Sequence, residues 1–156
     1  MKLHYVIGVV CLCLVLVGCA GNYITIPDQY QDAYQTLVTT EGFSYMGIGV
    51  SGQVPDFVRA FSDLYFSGNA KDYFLHLTNE KTDAAKLYAL CGLYHLDKYS
   101  FDILVKRYQN ISTPIHRAEG CIPTIIPMNQ IISATNPNQM DIKHGKIPQF
   151  LLDYIS

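Results

Sequence analysis

The sequence contains few charged residues and no concentrated basic stretch. Only 15% of its 156 residues are charged, against roughly 25% in typical soluble domains. The formal net charge is -2, and lysines and arginines form no stripe. We therefore expect no nucleic acid partner, because nucleic-acid binders carry a strongly basic surface. With 49% hydrophobic and 12% aromatic residues, the chain is also unlike a disordered one, and its length suits a single domain.

The local signatures of catalytic and metal sites are also missing. The chain has no H-E-x-x-H or C-x-x-C spacing and no G-x-S-x-G around a serine. Residues 47–52 match G-x-G-x-x-G, but no βαβ pattern surrounds them. We interpret this string as a loop before the core rather than as a dinucleotide site. The sequence thus predicts no cofactor and no metal, and it assigns no catalytic residue.

The N-terminus carries an uncharged apolar run. Lys2 provides a basic start, and no charge occurs from Tyr5 to Val17. A basic tip, an apolar stretch and small residues in this order are typical of a secretory signal. The run is too short for a spanning helix, which needs about 20 apolar residues.

The end of this run, Leu16-Val17-Gly18-Cys19, resembles the lipobox of bacterial lipoproteins. In that family the cysteine thiol is joined to diacylglycerol, the signal is cut before the cysteine, and the new amino terminus is acylated. The resemblance implies a signal peptide over residues 1–18, a lipidated Cys19 and a tether over residues 19–28. The alternatives are an uncleaved apolar anchor, or an ordinary signal followed by an incidental cysteine.

A lipidated Cys19 implies a location at the cell envelope, with the membrane as partner. Two or more acyl chains hold a protein stably, so no basic patch is needed for attachment. Ala20 follows the cysteine, and in Gram-negative members of the family the absence of aspartate there favours the outer membrane over the inner one. Loss of Lys2 with the signal changes the formal net charge to -3, which indicates no charged partner.

Processing before Cys19 leaves Cys91 and Cys121 as the unmodified thiols. An oxidising compartment and an even number favour a disulfide between them. Such a bond closes a loop of about 30 residues and stabilises by about 3–4 kcal/mol in the chain-entropy account. The alternative is two buried free thiols that act as small hydrophobic residues.

Helical periodicity dominates the body of the chain, residues 29–156. Residues 82–96 are apolar nearly all round, which is typical of a buried helix, so we expect this helix at the centre of the fold. Thr82 is its expected N-cap, and Gly92 within it predicts a close helix crossing. Apolar residues also recur at helical spacing in four further segments, which are residues 29–39, 55–67, 70–77 and 100–109.

We therefore predict a mainly α fold, a small single domain of antiparallel helical hairpins that loosely resembles HEAT-type repeats in layout. Residues 113–130 contain three prolines and predict an irregular C-terminal segment. Within it, residues 122–126 favour an extended strand and residues 127–134 a short helix, with Met128, Ile131 and Ile132 inward. The tail, residues 147–156, predicts a final short helix.

The missing motifs favour a non-catalytic interaction or structural module. Its partner would be another envelope protein, the cell wall or an incoming toxin. The alternative is a small envelope hydrolase that uses His95 or His116 as its base. Cys121 would then be the nucleophile, and Asp97 or Glu119 would orient the imidazole. The twelve tyrosines favour core packing over a carbohydrate or peptide platform.

Overall fold

The computed structural model describes residues 24–44, 53–119, 122–133 and 142. These residues form a small, mainly helical domain with a three-stranded mixed sheet, so the predicted fold class is confirmed in its helical character. The helices are α1 (Asp28–Thr39), α2 (Asp56–Tyr65), α3 (Ala70–Leu77), α4 (Asp83–Leu96), α5 (Lys98–Tyr108) and α6 (Met128–Ile132). The strands are β1 (Gly42–Phe43), β2 (Pro114–Glu119) and β3 (Ile122–Pro127).

Helix α4 lies at the centre of the domain, as its apolar surface predicts. Nine of its fourteen residues are buried. The side-chain oxygen of Thr82 accepts a hydrogen bond from the Ala85 N–H at 3.3 Å, which confirms the predicted cap. The same hydroxyl donates to the carbonyl oxygen of Val38 at 3.1 Å. One side chain therefore caps α4 and ties its start to the end of α1.

Gly92 allows α3 and α4 to approach closely. The ring of Phe74, on α3, is fully buried against it. A Cβ atom at position 92 would lie 2.4 Å from Cδ2 of Phe74, closer than packed atoms can come. The predicted close crossing is confirmed. Glycine costs about 1 kcal/mol of helix stability relative to alanine, and the packing of Phe74 offsets that cost.

Aromatic rings fill the space around α4. The ring centroid of Tyr88 lies 4.8 Å from that of Phe43 and 6.0 Å from that of Phe61. The Tyr88 hydroxyl donates to the carbonyl oxygen of Ser44 at 2.8 Å and accepts from the Ser44 N–H at 3.0 Å. Tyr88 therefore packs in the core, as predicted for it, and fixes the chain just after β1.

The C-terminal proline-rich segment is a regular β-hairpin, so the prediction of an irregular segment is wrong. Strands β2 and β3 pair antiparallel from Pro114 opposite Pro127 to Glu119 opposite Ile122. Prolines lack the N–H that a ladder bond needs, so they suit edge strands and positions whose N–H faces away from the partner. Pro123 and Pro127 are four residues apart and therefore point their nitrogens to the same side of β3. Pro114 is the first residue of β2, a position that proline tolerates, so the hairpin accommodates all three prolines.

Strand β1 joins this hairpin as a short parallel neighbour of β2, with Gly42 opposite His116. The extended conformation predicted for residues 122–126 is confirmed by β3. Helix α6 follows, and its three predicted inward residues, Met128, Ile131 and Ile132, are fully buried. The glycine-rich residues 47–52 and the predicted helix in residues 147–156 lie outside the described residues.

The packed body begins early in the chain. Ile24 and Ile26 pack against the core, and α1 starts at Asp28. The side-chain amide of Gln31 donates to the carbonyl oxygen of Ile26 at 2.9 Å. These contacts attach Ile24 and Ile26, which lie within the predicted tether, to the domain.

Candidate functional site

The predicted lipid attachment and the predicted disulfide both involve cysteines. Cys19 and Cys121 lie outside the described residues. Cys91 lies in the middle of α4, is 1% exposed and has no disulfide partner among the described residues. Burial raises the pKa of the Cys91 thiol, so it stays protonated and is a poor nucleophile. The bond between Cys91 and Cys121 stays a prediction, which thiol labelling of the denatured, unreduced chain would test.

Asp97 links two helices rather than orienting a histidine. Its carboxylate accepts from the ammonium of Lys71 at 2.9 Å and from the N–H and hydroxyl of Ser100 at 3.1 and 2.9 Å. The Lys71 contact and the Ser100 hydrogen bonds lower the pKa of Asp97 to about 2. No hydrogen bond joins it to His95 within the described chain. Asp97 is therefore the N-cap of α5.

The two candidate histidines lie on different elements. His95 is an exposed residue in the last turn of α4, where its ring meets that of Tyr94 edge-on at 4.8 Å between centroids. Partial burial lowers the pKa of His95. His116 is exposed on β2. The remaining members of the proposed Cys–His arrangement, Cys121 and the side chain of Glu119, are not among the described groups, so the hydrolase alternative stays a prediction.

A cleft of about 200 Å³ opens beside the sheet. Phe43, Phe57 and Pro123 line it, together with His116 and the buried Arg117. No carboxylate or thiol occurs among its described lining residues. The cleft can therefore accept a small apolar group beside an imidazole, but its described lining offers His116 no acid to orient it.

A second constellation is a polar cluster made of Tyr34, His76 and Glu80. The Tyr34 oxygen lies 2.6 Å from Nδ1 of His76, and its hydroxyl donates to Oε1 of Glu80 at 3.0 Å. Since that proton is given to Glu80, Nδ1 of His76 must be the donor in the shorter contact. Burial and the hydrogen bond to Glu80 raise the pKa of Tyr34, so it remains a neutral donor. This cluster joins α1 to the end of α3 and has the chemistry of a structural link.

Sequence reasoning missed the polar cluster, although one signal for it was present. His76 and Glu80 are four residues apart, a spacing that brings side chains together on a helix. Tyr34 comes from α1, and nothing in the local sequence indicates that it meets them. Across the part of the chain that the structure describes, no group of three histidine, cysteine or acidic residues could hold a metal ion.

The largest apolar side chains at the surface fall on a few elements. Tyr99 and Ile103 lie on α5, exposed by 78% and 44%. Ile122 and Ile125 lie on β3, exposed by 67% and 62%. Phe66 directly follows α2 and is 58% exposed. These residues are the described apolar groups most available for contact with another surface.

The helices of the described residues are all too short or too polar to cross a membrane. No protein-family model, no curated protein and no solved structure matches the chain.

Proposed function

We propose that the chain is a lipid-anchored protein of the cell envelope, attached through Cys19, that works by contact rather than by catalysis. The observation that carries the proposal is the order of features in residues 1–19: a basic tip, an apolar run, small residues and a cysteine. Residues 1–18 are then removed, and Cys19 becomes the acylated first residue. In a Gram-negative host, Ala20 favours the outer membrane.

The packed body lies close in sequence to the proposed anchor. Ile24 already packs against the core, five residues after Cys19. Lipidation at Cys19 would place a folded domain directly after the acyl chains.

The contacts of Asp97, Cys91 and Tyr34 support a contact role. Asp97 caps α5 and pairs with Lys71, Cys91 is buried, and Tyr34 donates within the polar cluster. Each of these groups already has a structural task. The partner in this proposal is another envelope protein or the cell wall, met by exposed side chains of the domain.

The arrangement of helices as antiparallel hairpins also belongs to this proposal. Helices α3 and α4 are joined by residues 78–82 only, and short connections of this kind favour antiparallel neighbours. Phe74 of α3 packs directly on Gly92 of α4. A compact helical body would leave its outer faces free for contact.

Fractionation of cells that produce the protein tests the anchor. We expect the native chain in the membrane fraction and Cys19→Ser either released or retained with its signal attached. Cys13→Ser is the matched control, because Cys13 lies in the apolar run and leaves with the signal. Identical fractionation and processing of the native chain and Cys19→Ser would contradict the proposal.

A further inference from the structure

Helix α5 combines exposed apolar and basic residues on one face. Four side chains, here called the α5 outer face, are Tyr99, Ile103, Lys106 and Arg107, all exposed. At 3.6 residues per turn, the first three fall within a sector of about 60°. The opposite side of the helix is buried in the core through Phe101, Leu104, Val105 and Tyr108. The packing of α5 against the domain therefore leaves the outer face free.

The charge of α5 is opposite to that of the chain. This helix holds three basic residues and one acid, whereas the whole chain has a formal net charge of -2. The one acid, Asp102, is neutralised by Lys98, whose ammonium lies 2.7 Å from its carboxylate. Neither Lys106 nor Arg107 pairs with a carboxylate among the described residues. Two cations thus flank Tyr99 and Ile103.

We propose that the α5 outer face lies on the headgroup region of an anionic bilayer, an inference that rests on the proposed lipid anchor. Tyrosine places an apolar ring and a polar hydroxyl at a membrane interface. A helix with apolar and basic residues on one exposed face binds anionic lipid through both burial and charge attraction. Ile103 is then the apolar contact, and Lys106 and Arg107 meet lipid phosphates.

The length of chain between anchor and domain selects the bilayer as the occupant. Four residues lie between Cys19 and the packed Ile24, so even a fully extended chain places their Cα atoms no more than about 18 Å apart. A lipidated chain therefore keeps the body within reach of the bilayer at high effective concentration, so a weakly binding face is sufficient. The α5 outer face would fix which side of the domain turns to the lipid.

The absence of tryptophan from the chain makes a direct test available. Tyr99→Trp places a single tryptophan on the α5 outer face, and Phe66→Trp places one at another exposed site outside it. Each processed chain is reinserted into vesicles of phosphatidylcholine alone or mixed with phosphatidylglycerol. We expect a blue shift of the tryptophan emission at position 99 in the mixed vesicles only. Position 66 should give the same emission in both.

A second measurement removes the acyl chains from the comparison. A chain produced without residues 1–18 and with serine in place of Cys19 is titrated with the same two kinds of vesicle. We expect K106E/R107E to lower its partition into mixed vesicles by about tenfold or more, and high salt to do the same. Circular dichroism verifies that each variant is folded.

Equal binding to both kinds of vesicle would overturn the inference, and so would unchanged partition of K106E/R107E. It would also fail if position 99 shifted only when envelope proteins were added, since the face would then bind protein. Mass spectrometry of the same preparation reports whether Cys19 carries lipid. A lipidated chain with an unshifted position 99 overturns this inference alone, whereas an unlipidated chain overturns the proposed function.

Discussion

Helix α4 and strand β3 differ in how much of their surface meets the rest of the domain. Nine of the fourteen residues of α4 are buried, whereas every residue of β3 is at least partly exposed. Ile122 and Ile125 of β3 keep 67% and 62% of their surface exposed. The helix is therefore held by side-chain packing on all sides, and the strand mainly by its backbone pairing with β2. Substitutions should cost much more in α4 than in β3.

The largest expected difference is between Leu90→Ala and Ile125→Ala. Leu90 is fully buried in α4, and truncating such a leucine lowers the free energy of unfolding by about 2–5 kcal/mol. Ile125 is 62% exposed, so its truncation should change stability by no more than about 0.5 kcal/mol. Denaturant unfolding of both variants measures the contrast. Similar losses would show that β3 is packed as tightly as α4.

Two buried tyrosines of the core differ in the hydrogen bonding of their hydroxyl groups. Tyr88→Phe removes both hydrogen bonds to Ser44 and should lower the free energy of unfolding by about 1–3 kcal/mol. The Tyr73 hydroxyl is buried without a hydrogen-bond partner in the described structure. Tyr73→Phe should therefore be neutral or slightly stabilising. A larger loss for Tyr73→Phe than for Tyr88→Phe would contradict these assignments.

Close packing at Gly92 is tested by Gly92→Ala. The new Cβ would meet the buried ring of Phe74, and overpacking costs more than the helix propensity that alanine restores. We expect a net loss of about 1–2 kcal/mol in the free energy of unfolding. Gly68→Ala is the matched control, because nothing lies within 4 Å of a Cβ there. Stabilisation by Gly92→Ala would refute the close crossing.

The smallest effect is expected at the junction of α4 and α5. Asp97→Ala removes the α5 cap and should lower stability by about 1 kcal/mol near pH 7. The pKa of Asp97 is about 2 in the folded chain, below its ordinary 3.8. Its contribution is therefore fully present above that ordinary value and is lost as the pH falls through about 2.

Urea unfolding at several pH values checks this dependence. The stability difference between the native chain and Asp97→Ala should shrink as the solution becomes acidic. Asp102→Ala is the control, since its pair with Lys98 is exposed and such pairs contribute little. A difference that is independent of pH would show that the Asp97 carboxylate does not stabilise through its charge.

Much of the helical body is predictable because its signals are local. The spacing of apolar residues locates helices α1 to α5. Thr82 caps α4 and Gly92 allows close packing within it, as the sequence predicts. The sheet is different, because β2 pairs with Gly42 and Phe43 from a distant part of the chain. The three prolines predict an irregular segment over residues 113–130. The sequence does not show that proline falls where the strand pairing needs no N–H.

The contacts of the candidate groups are also hard to predict, because their partners come from other elements of the fold. Asp97 is two residues from His95, yet its carboxylate accepts hydrogen bonds from Lys71 of α3 and Ser100 of α5. The net charge of the chain also does not show where its charged side chains cluster. A chain with a formal charge of -2 indicates no charged partner, but the helical phase of α5 gathers Lys106 and Arg107 beside exposed apolar residues.

Mass spectrometry of the N-terminal peptide from membrane-derived protein tests whether Cys19 is the lipidated first residue. We expect a peptide that begins at Cys19 and carries the mass of a diacylglyceryl group and an amide-linked acyl chain. An unmodified peptide that still contains Met1 and Lys2 would contradict it.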